Sequence, residues 1–185
     1  MEKRVILREK KAGLTISDVI LVGVLLAVGA VLKFFVGSMF NIGMKPNFII
    51  AMYCLAILLI KPKFIEAIFI GIIAGAICQV FPGTPYINII SEPIGAVIMA
   101  VLVYLPLKVG GFSLKPIIGT FLSTLASGFT FLGILYAAFY AGANVDTMPF
   151  GAFIVLILGT AVINAVIVQL LYIPLKHALG RDGND

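Results

Sequence analysis

Tryptophan is absent from these 185 residues, histidine occurs once, cysteine twice, and Asp and Glu together only eight times. Charged residues make up 11% of the chain and hydrophobic ones 62%, against roughly 25% and 45–50% in soluble domains. That imbalance predicts an integral membrane protein. No polar stretch is long enough to fold separately in water, so residues 1–185 are read as a single transmembrane domain. Cys54 and Cys78 each lie within an apolar run, which suits small inert hydrophobes better than a disulfide or a metal pair. The lone histidine, His177, follows the last apolar run and is too far along the chain to serve Ser123 or Ser127 in a Ser-His pair. A zinc ligand set is missing too. No metal, no cofactor and no hydrolase activity are expected.

Two further absences concern energy. The chain contains no Gly-x-x-x-x-Gly-Lys-Ser/Thr, so it cannot cradle nucleotide phosphates, and any ATP hydrolysis falls to a separate subunit. The chain itself is expected not to be an enzyme. Nor does an acidic residue fall mid-run: Asp18 and Glu66 sit by one set of ends, Glu92 and Asp146 by the other. Proton-driven carriers usually place ionisable groups within the membrane, which disfavours proton coupling and leaves sodium coupling through carbonyls and hydroxyls open.

What is present is a series of apolar runs punctuated by Lys, Pro, Gly and Asn. A span needs about 20 apolar residues, and the punctuation predicts six helical spans, at about 17–36, 47–60, 64–81, 93–107, 116–140 and 150–175. The runs lack the alternation of barrel strands. The basic start resembles a signal peptide, but the run after it is too long and lacks a cleavage site, so it is read as a retained first span. The net charge of +5 comes from residues clustered at span ends, which fits membrane orientation better than a nucleic-acid partner. Lys3, Arg4, Arg8, Lys10 and Lys11 precede span 1, Lys61 and Lys63 follow span 2, Lys108 and Lys115 flank the loop after span 4, and Lys176 and Arg181 follow span 6. Only Lys33 and Lys45 fall on the other side, which predicts cytoplasmic termini and outer loops after spans 1, 3 and 5.

Those outer loops share a device. Pro46, Pro93 and Pro149 are each expected at or near the start of a helix, where a missing N–H does no harm, so that three helix N-termini converge on the outer face. Such termini suit a carboxylate. The stretch Gly43-Met-Lys-Pro-Asn47 is the polar knot of the first loop. A lysine so close to hydrocarbon marks a functional site by default, although from this residue alone a snorkelling lysine in an ordinary loop is the better explanation. Asn41, Lys45 and Asn47 in this loop, Tyr86, Asn88, Ser91 and Glu92 in the second, and Asn144 and Asp146 in the third can line a site. Glu92 reads equally as a ligand contact or as the N-cap of span 4.

Within the spans, Thr120, Ser123, Thr124, Ser127 and Thr130 form one stripe on span 5, read first as helix packing and second as a pocket lining. Asn164 on span 6 and Gln79 near the outer end of span 3 must each find a hydrogen-bond partner. Ala67, Gly71 and Gly75 on span 3 keep a small-xxx-small spacing that suits close packing. Gly23 and Ala27 do so on span 1, where contact with another protein is a rival reading.

Ala27-Val-Gly-Ala-Val-Leu32, Gly43-Met-Lys-Pro-Asn47 and Asn88-Ile-Ile-Ser-Glu-Pro93 together resemble the substrate-binding (S) components of energy-coupling factor (ECF) transporters, and most of all the tryptophan transporter family TrpP. Two positions depart from the family pattern. Val31 stands where an Ala-x-x-x-Ala docking face would place its second alanine after Ala27, and Ser91-Glu92-Pro93 replaces Asp-Lys-Pro. The resemblance implies a small bundle in the bacterial cell membrane that captures an amino acid or vitamin, with tryptophan first. It then associates with a transmembrane coupling subunit and two cytoplasmic ATPases, docking through Gly23, Ala27 and Val31. For an aromatic amino acid, Lys45 and the span 2 N-terminus would hold the carboxylate and Glu92 or Asp146 the ammonium. Asn47, Gln79, Asn88 and Asn164 complete the expected polar set, and Phe40, Phe81, Tyr86, Tyr136 and Tyr140 are the ring candidates. A self-sufficient sodium-coupled carrier and a non-transporting membrane scaffold are the alternatives.

Overall fold

The computed structural model describes residues 13–39, 45–109 and 112–181; Phe40, Asn41, Gly43 and Met44 lie outside the described residues. Among the described residues there are six helices: α1 (Ile16–Met39), α2 (Ile49–Ile60), α3 (Phe64–Cys78), α4 (Ile87–Leu102), α5 (Lys115–Tyr140) and α6 (Phe150–Ala178). An antiparallel ladder of β1 (Lys108–Val109) with β2 (Phe112–Ser113) folds the connection between α4 and α5. The all-helical reading holds apart from this ladder.

By length and composition, α1, α5 and α6 can each cross a membrane. The other three have 12, 15 and 16 residues, and at 1.5 Å per residue they rise only ~18–24 Å against a hydrocarbon core of ~30 Å. Every residue of α2 is buried, and the helix touches all five others. A helix apolar on all sides belongs in an interior, and α2 is the axis of the bundle, with α3, α4, α5 and α6 packed around it as sequential neighbours.

One end of the bundle is tied by polar contacts. Arg181 donates to Asp18 Oδ1 at 2.6 Å and to the Leu59 carbonyl at 2.8 Å. These bonds join the start of α1 to the ends of α2 and α6. Lys115 Nζ donates to the Val103 carbonyl at 2.8 Å, and the Tyr104 hydroxyl to the Lys61 carbonyl at 3.1 Å.

Helix α4 corrects the proline reading. It begins at Ile87, so Pro93 lies inside the helix; Pro149 is the N-cap of α6, and Pro46 comes three residues before α2. The preference of proline for the first turn suggested a start at residue 93. In a membrane protein, however, an interior proline forfeits one backbone bond that the surroundings can offset. Glu92 is therefore not a helix cap. It sits five residues beyond the first residue of α4, directly before the proline.

The spacing on α3 does what it predicts. Ala67, Gly71 and Gly75 are all buried, and a methyl group on Gly75 would stand 2.5 Å from the Asn88 carbonyl oxygen. On Gly71 it would collide with the backbone of Pro93. Only glycine allows α3 and α4 to approach so closely.

Candidate functional site

At the end opposite Arg181, the α1–α2, α3–α4 and α5–α6 connections surround a cavity of about 540 Å³, within the ~300–1,000 Å³ usual for small-molecule sites. The three loops expected to share a face do so. Lys45 and Asn47 line the cavity from the first loop, Gln79 from the second, Asn144 and Asp146 from the third, and Asn88 and Glu92 from inside α4.

Its polar floor is built around Asn47. The Asn47 Nδ2 donates to Glu92 Oε1 at 2.7 Å, and Ser127 Oγ donates to Glu92 Oε2 at 3.2 Å, so both oxygens of this buried carboxylate have neutral donors. Asn164 Nδ2 donates to the Asn47 carbonyl at 3.1 Å and to Thr124 Oγ1 at 3.3 Å, which anchors the loop to α5 and α6 from below. Asn47 Oδ1 accepts from the Ile49 N–H at 3.3 Å, satisfying one of the free donors at the start of α2. The hydroxyl stripe of α5 thus serves both readings: Thr124 and Ser127 line the cavity, while Thr120 and Ser123 lie buried beneath it.

Two groups of residues were not anticipated. Lys33, on α1, is only 7% exposed and lines the cavity; its Nζ donates to Cys78 Sγ at 3.3 Å and stands 5.3 Å from the centre of the Phe81 ring. Phe131 and Phe153 lie on the α5–α6 wall with ring centres 6.0 Å apart. The phase of α1 carried a signal for the lysine. Val22, Leu26, Gly29 and Lys33 recur at three- and four-residue spacing, and all four are buried, so the charge lies in register with the core stripe.

The family model of the tryptophan transporter TrpP matches residues 15–180. The chain belongs to that family. No curated protein and no solved structure matches it. As a TrpP protein with three apolar helices of spanning length among the described residues, it is a membrane protein.

Several expected site residues of this TrpP chain also have structural partners or lie outside the lining. Gln79 donates through Nε2 to the Gly75 carbonyl and accepts from the Tyr86 N–H through Oε1, each at 2.9 Å, and so holds the turn between α3 and α4. Tyr86, the N-cap of α4 with a φ of 67°, is 72% exposed and turns away from the cavity. The Tyr136 hydroxyl donates to the Met148 carbonyl at 2.6 Å, fixing the loop before α6 from outside the cavity lining. Tyr140 is exposed, so of the described ring candidates only Phe81 reaches the lining. Asn164 lies beneath the lining and acts through Asn47. Asp146 and Asn144 are exposed at the mouth. On α1, Gly23, Ala27 and Val31 all face outward, and a methyl group on Gly23 would meet nothing within 4 Å.

Proposed function

We propose that this TrpP protein is the membrane-embedded S component of an ECF-type importer, which binds tryptophan in the cavity at the loop end of the bundle. The observation that carries this reading is the cavity itself, with rings on the α5–α6 wall and polar groups on its floor. Its volume accommodates an indole, and family membership favours tryptophan over other aromatic solutes. ATP hydrolysis belongs to two cytoplasmic ATPase subunits joined through a transmembrane coupling subunit, since the sequence lacks a phosphate-binding loop of its own. The chain is a multi-pass protein of the bacterial cell membrane with cytoplasmic termini. The short helices α2, α3 and α4 sit among the longer ones, and the cavity opens outward.

The chain has no tryptophan, so fluorescence excited selectively in the indole band comes from the ligand alone. Titration into purified protein will give saturable binding with a blue shift as the indole leaves water. Saturable binding of a non-aromatic solute, with no indole signal, would reject tryptophan. For sidedness, Asn144→Cys on a Cys54→Ala, Cys78→Ala background will react with an impermeant thiol reagent added to intact cells, and Leu105→Cys will not. The reverse labelling pattern places the cavity on the cytoplasmic face.

The outward stripe Gly23, Ala27, Val31 is the docking face for the coupling subunit in this reading. Ala27→Leu adds bulk where close helix approach is needed and leaves the cavity untouched. Uptake in cells will fall while tryptophan binding by the isolated protein stays within about twofold. Loss of both together would assign Ala27 to the internal structure.

A further inference from the structure

Two opposite formal charges are buried against the same cavity without pairing. Lys33 is 7% exposed and Glu92 1% exposed, both line the cavity, and no ion pair joins them. Each is held by neutral groups: Lys33 by the Cys78 sulfur and the Phe81 ring, Glu92 by Asn47 and Ser127. A chain of contacts links them along the floor, from Lys33 Nζ to Cys78 Sγ at 3.3 Å, from there to Asn47 Nδ2 at 3.6 Å, and on to Glu92 Oε1 at 2.7 Å. Burying a charge without a counter-charge is costly, and a ligand that carries both complementary charges at short spacing relieves both costs together. Lys45 and Asp146 are the other pair of opposite charges in the lining. They are more exposed, so water weakens what they can offer.

The geometry points to a two-point clamp for an α-amino acid zwitterion, in which Lys33 holds the carboxylate, Glu92 holds the ammonium, and Lys45 serves only the cavity mouth. This inference rests on the reading that the cavity binds an amino acid. It moves the anion contact from the loop lysine to one on α1. It also explains how the site tolerates an acidic residue before Pro93: the neighbouring charge to be balanced belongs to the ligand's amine. The side chain of the amino acid is left to extend toward Phe131 and Phe153.

Three indole ligands separate the roles: tryptophan, tryptamine without the carboxylate, and indole-3-propionate without the amine. Their affinities are read by indole fluorescence on the wild type and on Lys33→Met, Glu92→Gln and Lys45→Met. Lys33→Met will weaken tryptophan and indole-3-propionate about 10- to 150-fold, the loss expected of one charge-assisted contact, and leave tryptamine within about threefold. Glu92→Gln will do the converse, weakening tryptophan and tryptamine but not indole-3-propionate. Lys45→Met will move all three by less than about threefold. Lys33→Gln is the second variant if the methionine protein does not fold. Unchanged tryptophan affinity in Lys33→Met, an equal loss for tryptamine, or transfer of the carboxylate effect to Lys45→Met each overturns the clamp. If the wild type binds no indole, tryptophan is wrong as the substrate. The clamp is then judged by thermal shift with the other amino acids against their decarboxylated and deaminated analogues, and stabilisation by none of the amino acids overturns it as well.

Discussion

Gly71→Leu will melt far below the wild type or fail to fold. A β-carbon at this position meets the Pro93 backbone, with the Pro93 nitrogen at 2.8 Å and the Glu92 carbonyl oxygen at 3.0 Å. These are main-chain atoms of α4, held between α3 and α5, and they cannot swing aside as a side chain can. Overpacking of a well-packed interior typically costs about 1–3 kcal/mol, and a collision of helix backbones belongs at or above the top of that range. Against a total stability of roughly 5–15 kcal/mol, the variant should melt far below the wild type in detergent or fail to purify as a monodisperse species. Gly23→Leu is the control. It adds the same side chain to an outward position with nothing within 4 Å, so its melting temperature should stay near that of the wild type. Equal melting of Gly71→Leu and the wild type would mean that α3 and α4 do not approach this closely.

The same contact shows what was legible in the chain and what was not. The small-xxx-small spacing on α3 is local information, and it correctly announced a close neighbour without naming α4. The number and order of helices were legible because apolar runs broken by Lys, Pro and Gly are also local. The start of α4 was misplaced because proline is tolerated in more than one position of a membrane helix, and the choice depends on what packs around Ile87 and Ser91. The site divides in the same way. Loop residues such as Lys45, Asn47 and Asp146 stood out against an apolar background. Lys33, Phe131 and Phe153 lie within helices, where sequence gives the phase of a side chain but not the element it faces. Tyr86 and Tyr136 were aromatic in the right neighbourhood, yet a main-chain partner claims the Tyr136 hydroxyl and Tyr86 turns outward, while Gln79 reaches the lining with main-chain partners of its own.

Asn47→Asp will be far more damaging than Asn47→Ala, although aspartate is nearly the same size and shape as asparagine. In the wild type the amide nitrogen donates to Glu92 Oε1 at 2.7 Å, to a carboxylate with no cationic partner at ion-pairing distance. Alanine deletes that bond and the contact to the Ile49 N–H, a loss of about 1.5–3 kcal/mol for the charge-assisted bond alone. Aspartate keeps an acceptor for Ile49 but sets a second carboxylate where the donor stood. Two carboxylates at this separation cannot both stay ionised in a buried site, so the variant must lose a charge, move the loop, or unfold. Because the Asn47 carbonyl also receives Asn164 and its amide touches Cys78 beside Lys33, a shifted loop disturbs the whole cavity floor. Melting temperature and tryptophan affinity should therefore both fall in the order wild type, Asn47→Ala, Asn47→Asp, with the aspartate variant more than 100-fold weaker in binding if it folds, as expected for a penalty above about 2.7 kcal/mol. If size and packing were all that mattered at residue 47, the order of the two variants would be reversed, because aspartate fills the space that alanine leaves empty.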